Sequence, residues 1–102
     1  MLEPHLKTFN LRVVHYFITV AELGSISAAA AALGIAQPSL SENIAKLERY
    51  LGVELMVRGS RGIQLTEAGS MLLEYGRDMR QGVTTIIENL RQLGESPSGQ
   101  VS

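Results

Sequence analysis

The sequence predicts a mainly α fold: a winged helix-turn-helix of three helices and a short β-hairpin, followed by one long linker helix. Three observations carry this. Apolar residues recur at helical spacing in segments that close at Gly24, Gly34 and Gly52. Two short apolar runs flank Gly59-Ser60-Arg61-Gly62, as in a hairpin. From Leu72 to Leu93, residues keep an unbroken alternation of four and three. The 102 residues suit one compact domain.

Asn10 precedes the first rhythm, Leu11, Val14, Phe17, Ile18 and Ala21. Asparagine caps a helix well because its side-chain oxygen accepts from an otherwise unpaired first-turn N–H. Gly24 stops this helix, and Ser25-Ile26-Ser27 opens an alanine-rich one through Leu33, with Ser25 or Ser27 as its cap. A third begins near Gln37-Pro38, where a first-turn proline loses no hydrogen bond, and runs to Leu51. Two short helices joined by a tight glycine turn form the helix-turn-helix pattern, and the alanines let them cross closely. A generic helical bundle would show the same pattern.

The third helix narrows the choice. At about 100° per residue, Leu40, Ile44, Leu47 and Leu51 share one stripe, the expected core face. The opposite face carries Pro38, Ser39, Ser41, Glu42, Ala45, Lys46 and Arg49. Short hydrogen-bonding and basic groups of this kind suit base edges and phosphates in a major groove, although most polar helix faces are only solvated. Val53–Arg58 and Ile63-Gln64-Leu65 then flank the glycine-rich turn, and the expected hairpin tip holds Arg58 and Arg61. A basic wing after a helix-turn-helix is placed to meet the DNA backbone or the minor groove, whose negative potential attracts arginine.

Thr66-Glu67 is the expected start of the long helix, a hydroxyl cap followed by an acid that complements the helix dipole. Leu72, Gly76, Met79, Val83, Ile86, Leu90 and Leu93 form a heptad seam, apolar except at Gly76. No segment of matching length is left in the chain to cover it, so the expected partner is the same helix of a second subunit, with part of the seam free to pack on its own domain. Gly94–Gln100 has linker composition.

Composition is globular, with 45% hydrophobic and 19% charged residues. The apolar run Ile26–Leu33 falls short of the roughly 18 residues a membrane span requires. Met1-Leu2-Glu3-Pro4-His5 lacks the basic start of a signal peptide, so a cytoplasmic location is expected. The absence of cysteine excludes disulfides and thiolate metal sites. The formal net charge of −1 runs against nucleic-acid binding. Its distribution is uneven, however: residues 1–65 hold six Lys/Arg against five Asp/Glu, and residues 66–102 hold three against five. A local basic face matters more than the total.

No enzyme is expected. His5 and His15 are isolated, with no third ligand at metal spacing. Asp78 is the only aspartate and lies in the linker helix, which argues against a Ser-His-Asp arrangement. Gly59-Ser60-Arg61-Gly62 lacks the Lys-Ser/Thr of a phosphate-binding loop. Neither a metal nor a cofactor is expected.

Taken in order, Asn10-Leu11-Arg12, Phe17, Val20-Ala21-Glu22, Gly24-Ser25-Ile26-Ser27, Ala29-Ala30 and Leu33 lead into Gln37-Pro38-Ser39-Leu40-Ser41, Ile44, Leu47-Glu48 and Leu51-Gly52. Leu55, Arg58 and Leu65-Thr66-Glu67-Ala68-Gly69 follow. Over about residues 10–93 this ordered set resembles the N-terminal region of LysR-type transcriptional regulators. The resemblance implies a winged helix-turn-helix over 1–65, a linker and dimerisation helix over 66–93, and a hinge or disordered tail over 94–102. A larger effector-binding domain would follow the hinge; these 102 residues do not include it, and a small-molecule inducer would act only through it. The implied partners are double-stranded DNA carrying an interrupted palindrome and a second copy of the chain; a tetramer of the full-length protein stays open, and no membrane partner is expected.

By position, the resemblance places Gln37, Pro38, Ser41 and Glu42 in the base-reading part of the recognition helix, and Ser39 beside them among the DNA-binding residues. It places Ser25, Ser27, Lys46 and Thr66 at backbone-contacting positions, and Arg58 and Arg61 in the wing. Dimerisation would rest on Leu72, Met79, Val83, Ile86, Leu90 and Leu93. Three departures stand out. Glu42 replaces a common arginine or polar residue; it could accept from a cytosine amino group or pair with Lys46, its i+4 neighbour, and the salt bridge is expected as its main interaction. Ala36 stands where a capping Ser or Thr is frequent, at a cost of about 1 kcal/mol. Met56 replaces a common Phe as a tolerated core change. The rival reading is a winged-helix interaction and dimerisation module without specific DNA binding, favoured by the net charge and Glu42.

Overall fold

The computed structural model describes residues 3–95. The order is α1 (Glu3–Thr8), α2 (Leu11–Leu23), α3 (Ile26–Leu33), α4 (Gln37–Leu51), β1 (Met56–Gly59), β2 (Gly62–Leu65) and α5 (Glu67–Glu95). The fold class is the expected one, three helices, an antiparallel hairpin and a long helix, with one element added in front. That element, α1, has six residues, too few to show a helical rhythm in sequence. It lies against α4, where the His5 imidazole is hydrogen-bonded to the Tyr50 hydroxyl.

The caps explain where the helices start. Asn10 accepts from the Val13 N–H at 3.0 Å, and Ser25 accepts from the Ala28 N–H at 3.1 Å, so Ser25 is the cap of α3 and Ser27 lies within it. Ala36 gives α4 no side-chain cap, and Pro38 in the first turn removes one donor that would need a partner. Gly24, Gly34 and Gly52 end their helices in the left-handed conformation.

The core is built on α2. Val13, Val14, Phe17, Ile18 and Val20 are buried, against Ile26, Ala29 and Ala30 of α3 and Leu40, Ile44 and Leu47 of α4. Two expected core positions lie outside it: Leu11 and Leu51 are exposed, one at each end of a helix, where the stripe runs past the neighbouring element. Val13 and Val20 are buried instead, because α2 is covered on two sides, by α3 and α4 and by α5. Leu55 and Met56 close the core from below the hairpin, Met56 filling the expected aromatic position.

Glu48 ties α4 to the hairpin. One carboxylate oxygen accepts from the Leu55 N–H at 2.8 Å and the Met56 N–H at 3.4 Å, partnering backbone donors that are half-buried. Removing the carboxylate leaves those donors unpaired, which costs about 1–3 kcal/mol. Glu48→Ala is therefore expected to lower the urea midpoint without changing the slope of unfolding. An unchanged midpoint would show that this tie contributes nothing.

The hairpin pairs Met56 with Leu65, Val57 with Gln64, Arg58 with Ile63 and Gly59 with Gly62, leaving Ser60 and Arg61 as a two-residue tip. Gly62 adopts φ +100°, and a Cβ there would sit 2.8 Å from the Gly24 carbonyl oxygen. The same carbonyl accepts from the Ile63 N–H at 3.2 Å. The wing is thereby pinned to the α2–α3 turn, with no room for a side chain at Gly62.

Helix α5 is longer than expected at its far end, continuing through Gly94 to Glu95; the remainder of the expected hinge or tail, 96–102, lies outside the described residues. Its first turn is fixed by Thr66, whose hydroxyl donates to the Glu54 carbonyl at 2.6 Å and accepts from the Gly69 N–H at 3.0 Å. Further along, a Cβ on Gly76 would meet Val14 and Ile18 side-chain carbons at 2.9 and 3.1 Å. The one non-apolar position of the seam is thus a contact with the chain's own α2. Leu72 also packs against the core, so the near end of the seam is consumed within the domain. Arg77 and Arg80 reach Glu22 at the end of α2, at 3.1 and 3.5 Å.

Candidate nucleic-acid interface

The exposed side of α4 carries Gln37, Pro38, Ser39, Glu42, Lys46 and Arg49, with Ser41 and Ala45 half-buried at its margin. Among the described residues, no carboxylate or hydroxyl holds Lys46, which was the expected partner of Glu42. The Glu42 carboxylate pairs with Arg49 instead, at 3.1 Å, seven residues on. Residues seven apart on a helix differ by only about 20° in azimuth, against about 40° for four apart, so a guanidinium two turns away can lie above the acid.

Arg58 also departs from expectation. It is not at the hairpin tip but within β1, opposite Ile63, and its guanidinium donates to the Ser41 hydroxyl at 3.2 Å. The wing and the recognition helix are therefore linked side chain to side chain. Arg61 alone carries positive charge at the tip, exposed.

Ser25 and Ser27 share a hydrogen bond between their hydroxyls at 3.1 Å at the start of α3. Together with Gln37 from the start of α4 and Arg58 from β1, they line one shallow depression of about 220 Å³, floored by Ile26 and Ile63. Three elements thus bring four of the expected contact residues around a single concavity, beside two helix starts whose dipoles favour an anion. Thr66 does not join them. Its one proton is committed to the Glu54 carbonyl, so its hydroxyl has none left for a phosphate and serves the fold.

The far part of α5 presents apolar side chains to solvent: Met79, Ile86, Leu90 and Leu93 of the expected set are exposed, and Val83 is half-buried at the edge of the stripe. Met71 and Tyr75 extend the same stripe toward the start of the helix, and Ile87 flanks it. Sequence spacing passed over Met71 and Tyr75 because Leu72 and Gly76 fit the heptad better. Those two face inward.

Among the described residues, no helix is long and apolar enough to cross a membrane, and no group of three His, Asp or Glu side chains could hold a metal ion.

Comparison with known proteins decides the family. Residues 11–70 match the family described as "Bacterial regulatory helix-turn-helix protein, lysR family". The chain belongs to the lysR family. Among its relatives, the HTH-type transcriptional regulator XapR of Escherichia coli (strain K12) is 36% identical over 92 residues, 90% of this chain and 31% of XapR. TfdS of Cupriavidus pinatubonensis is 40% identical over 92 residues, again 90% of this chain and 31% of that regulator. The chain therefore spans about a third of the length of these LysR relatives.

Solved structures agree. A complex of the BenM DBD with catB site 1 DNA superposes with a TM-score of 0.82 at 34% identity, over 86% of this chain and 99% of that one. A CbnR DBD–DNA complex gives 0.75 at 38% identity, over 81% and 95%. The chain has the LysR winged-helix fold, and its relatives are transcriptional regulators rather than enzymes.

Proposed function

We propose that this chain is the sequence-specific, double-stranded-DNA-binding part of a LysR-type transcriptional regulator, acting as a homodimer. The observation that carries this reading is the convergence of Ser25, Ser27, Gln37 and Arg58 on one depression at the edge of the exposed α4 face. An arginine, two hydroxyls and two helix starts suit a phosphate there. With the backbone held so, Gln37, Pro38, Ser39, Ser41 and Glu42 enter the major groove, Lys46 follows a phosphate strand, and Arg61 at the wing tip reaches the minor groove.

The exposed stripe of α5 is the homodimer contact. Met79, Val83, Ile86, Leu90 and Leu93 pair with the same helix of a second copy, with Met71 and Tyr75 alongside. Such a pair presents two recognition helices to successive major grooves of an interrupted palindrome. A small-molecule inducer would act through a domain beyond these residues, and the working compartment is the cytoplasm. The rival reading, a docking module without DNA binding, is favoured by the net charge of −1 and by Glu42; the pairing of Glu42 with Arg49 weakens the second of these supports.

The test is affinity against salt. Each neutralised phosphate adds roughly −0.9 to the slope of log K against log salt. The wild-type chain is expected to lose DNA affinity steeply between low and physiological salt, as fluorescence anisotropy would register. Arg61→Ala is expected to weaken binding several-fold and to flatten that slope by about 1. A docking module would give neither.

A further inference from the structure

The exposed α4 face places an acid where DNA would bring phosphates, and that acid has a single partner among the described residues. Arg49 donates to one carboxylate oxygen of Glu42, Oε2, at 3.1 Å. The other oxygen, Oε1, has no partner among the described residues. Both side chains are about two-thirds exposed, at 64% for Arg49 and 62% for Glu42, so neither is held by the core. Glu42 sits in the second turn of α4, among the residues nearest a groove floor, whereas Arg49 lies near the helix C-terminus, about 10 Å further along the axis.

We infer that Glu42 and Arg49 form a base-selecting pair, in which Glu42 accepts a hydrogen bond from an exocyclic amino group in the major groove and Arg49 positions it. The inference rests on the DNA-binding reading above and deepens it to the specificity of one position. An ionised carboxylate is an acceptor only. In the major groove it can accept from cytosine N4 or adenine N6, and it faces repulsion from the O6 and N7 of guanine and the O4 of thymine. Glu42 therefore selects by exclusion as well as by attraction.

Arg49 has two roles in this pair. Its charge offsets the repulsion between the carboxylate and the flanking phosphates. Its contact occupies Oε2 and leaves Oε1 to accept from the groove. Lys46, on the same face, is not engaged by Glu42 and keeps its charge for a phosphate.

The site that the wild-type chain selects from a random duplex pool supplies the probe. Affinities of wild type, Glu42→Gln and Arg49→Ala are then measured for every single-base-pair variant of that site. In wild type, one position in each half-site is expected to require a base with an amino group in the major groove, cytosine or adenine, with a penalty of about tenfold for replacing it by guanine or thymine. Glu42→Gln, which adds a donor and removes the charge, is expected to lose that discrimination at the same position and to bind the guanine or thymine variants more tightly. Arg49→Ala is expected to weaken discrimination at that position as well. A simple phosphate contact would lower all affinities uniformly and leave the pattern intact. If Glu42→Gln keeps the wild-type pattern and only binds more tightly throughout, Glu42 is merely a repelling charge and the inference is overturned. If wild type selects no site at low salt, the DNA-binding reading fails, and this inference falls with it.

Discussion

Gly69→Ala is expected to cost about 3 kcal/mol of stability, even after the roughly 1 kcal/mol that alanine usually gains over glycine inside a helix. A Cβ at this position would lie 1.9 Å from the Leu55 carbonyl oxygen and 2.9 Å from its carbon, both backbone atoms with no rotamer to change. Relief requires the start of α5 to back away from the hairpin base. That movement breaks the Thr66 N–H bond to Leu55 at 3.1 Å and the Thr66 hydroxyl bond to Glu54 at 2.6 Å. Leu55 is itself buried in the core, so it cannot give way either. For a domain of this size the loss corresponds to a fall in Tm of roughly 15 °C. Gly82 supplies the control, since it lies in the same helix with nothing within 4 Å of its Cβ position. Gly82→Ala should raise stability by about 0.5–1 kcal/mol. Opposite signs for the two substitutions would establish the close approach; two rises would show that α5 does not dock there.

The second large effect concerns assembly. Ile86 and Leu90 are 58% and 61% exposed in one copy of the chain, so an acid at either position is well hydrated and leaves the domain folded. In a dimer the same positions lie in an apolar seam, where an unpaired carboxylate is costly to bury. The double substitution Ile86→Glu, Leu90→Glu is expected to yield a monomer in sedimentation equilibrium, against a dimer for wild type. The two heads then no longer share an effective concentration, and affinity for a two-half-site duplex should fall by a factor of about 10² or more, with affinity for a single half-site unchanged. A variant that stays dimeric would place the subunit contact elsewhere on the chain.

What the sequence makes legible here is whatever depends on position along one element. Asn10, and either Ser25 or Ser27, are read as caps because a short polar side chain before an apolar rhythm has few other uses; Asn10 and Ser25 are the caps. The face of α4 can be read because 3.6-residue periodicity separates Leu40, Ile44 and Leu47 from the polar side. Contacts between elements are not written in any one segment. Gly76 and Leu72 satisfy the heptad as well as Met79 does, and only the docking of α5 on α2 decides that they turn inward while Met71 and Tyr75 turn out. Arg58 counts as a tip residue until the strand register places it opposite Ile63, within reach of Ser41. Glu48 has no local signal for its role, since its partners are backbone donors seven and eight residues away, beyond the end of α4. The i+4 rule favoured Lys46 as the partner of Glu42; the longer reach of an arginine two turns on prevailed.

On the proposed reading, binding specificity lies in α4, the phosphate clamp between α3 and β1, and the pairing of heads in α5. The measurement that tests this most directly is selection of the wild-type chain on a pool of random duplex DNA, sequenced after binding at two salt concentrations. The account predicts enrichment of a two-fold symmetric, interrupted site, with affinity falling steeply as salt rises. An unenriched pool at low salt would contradict it.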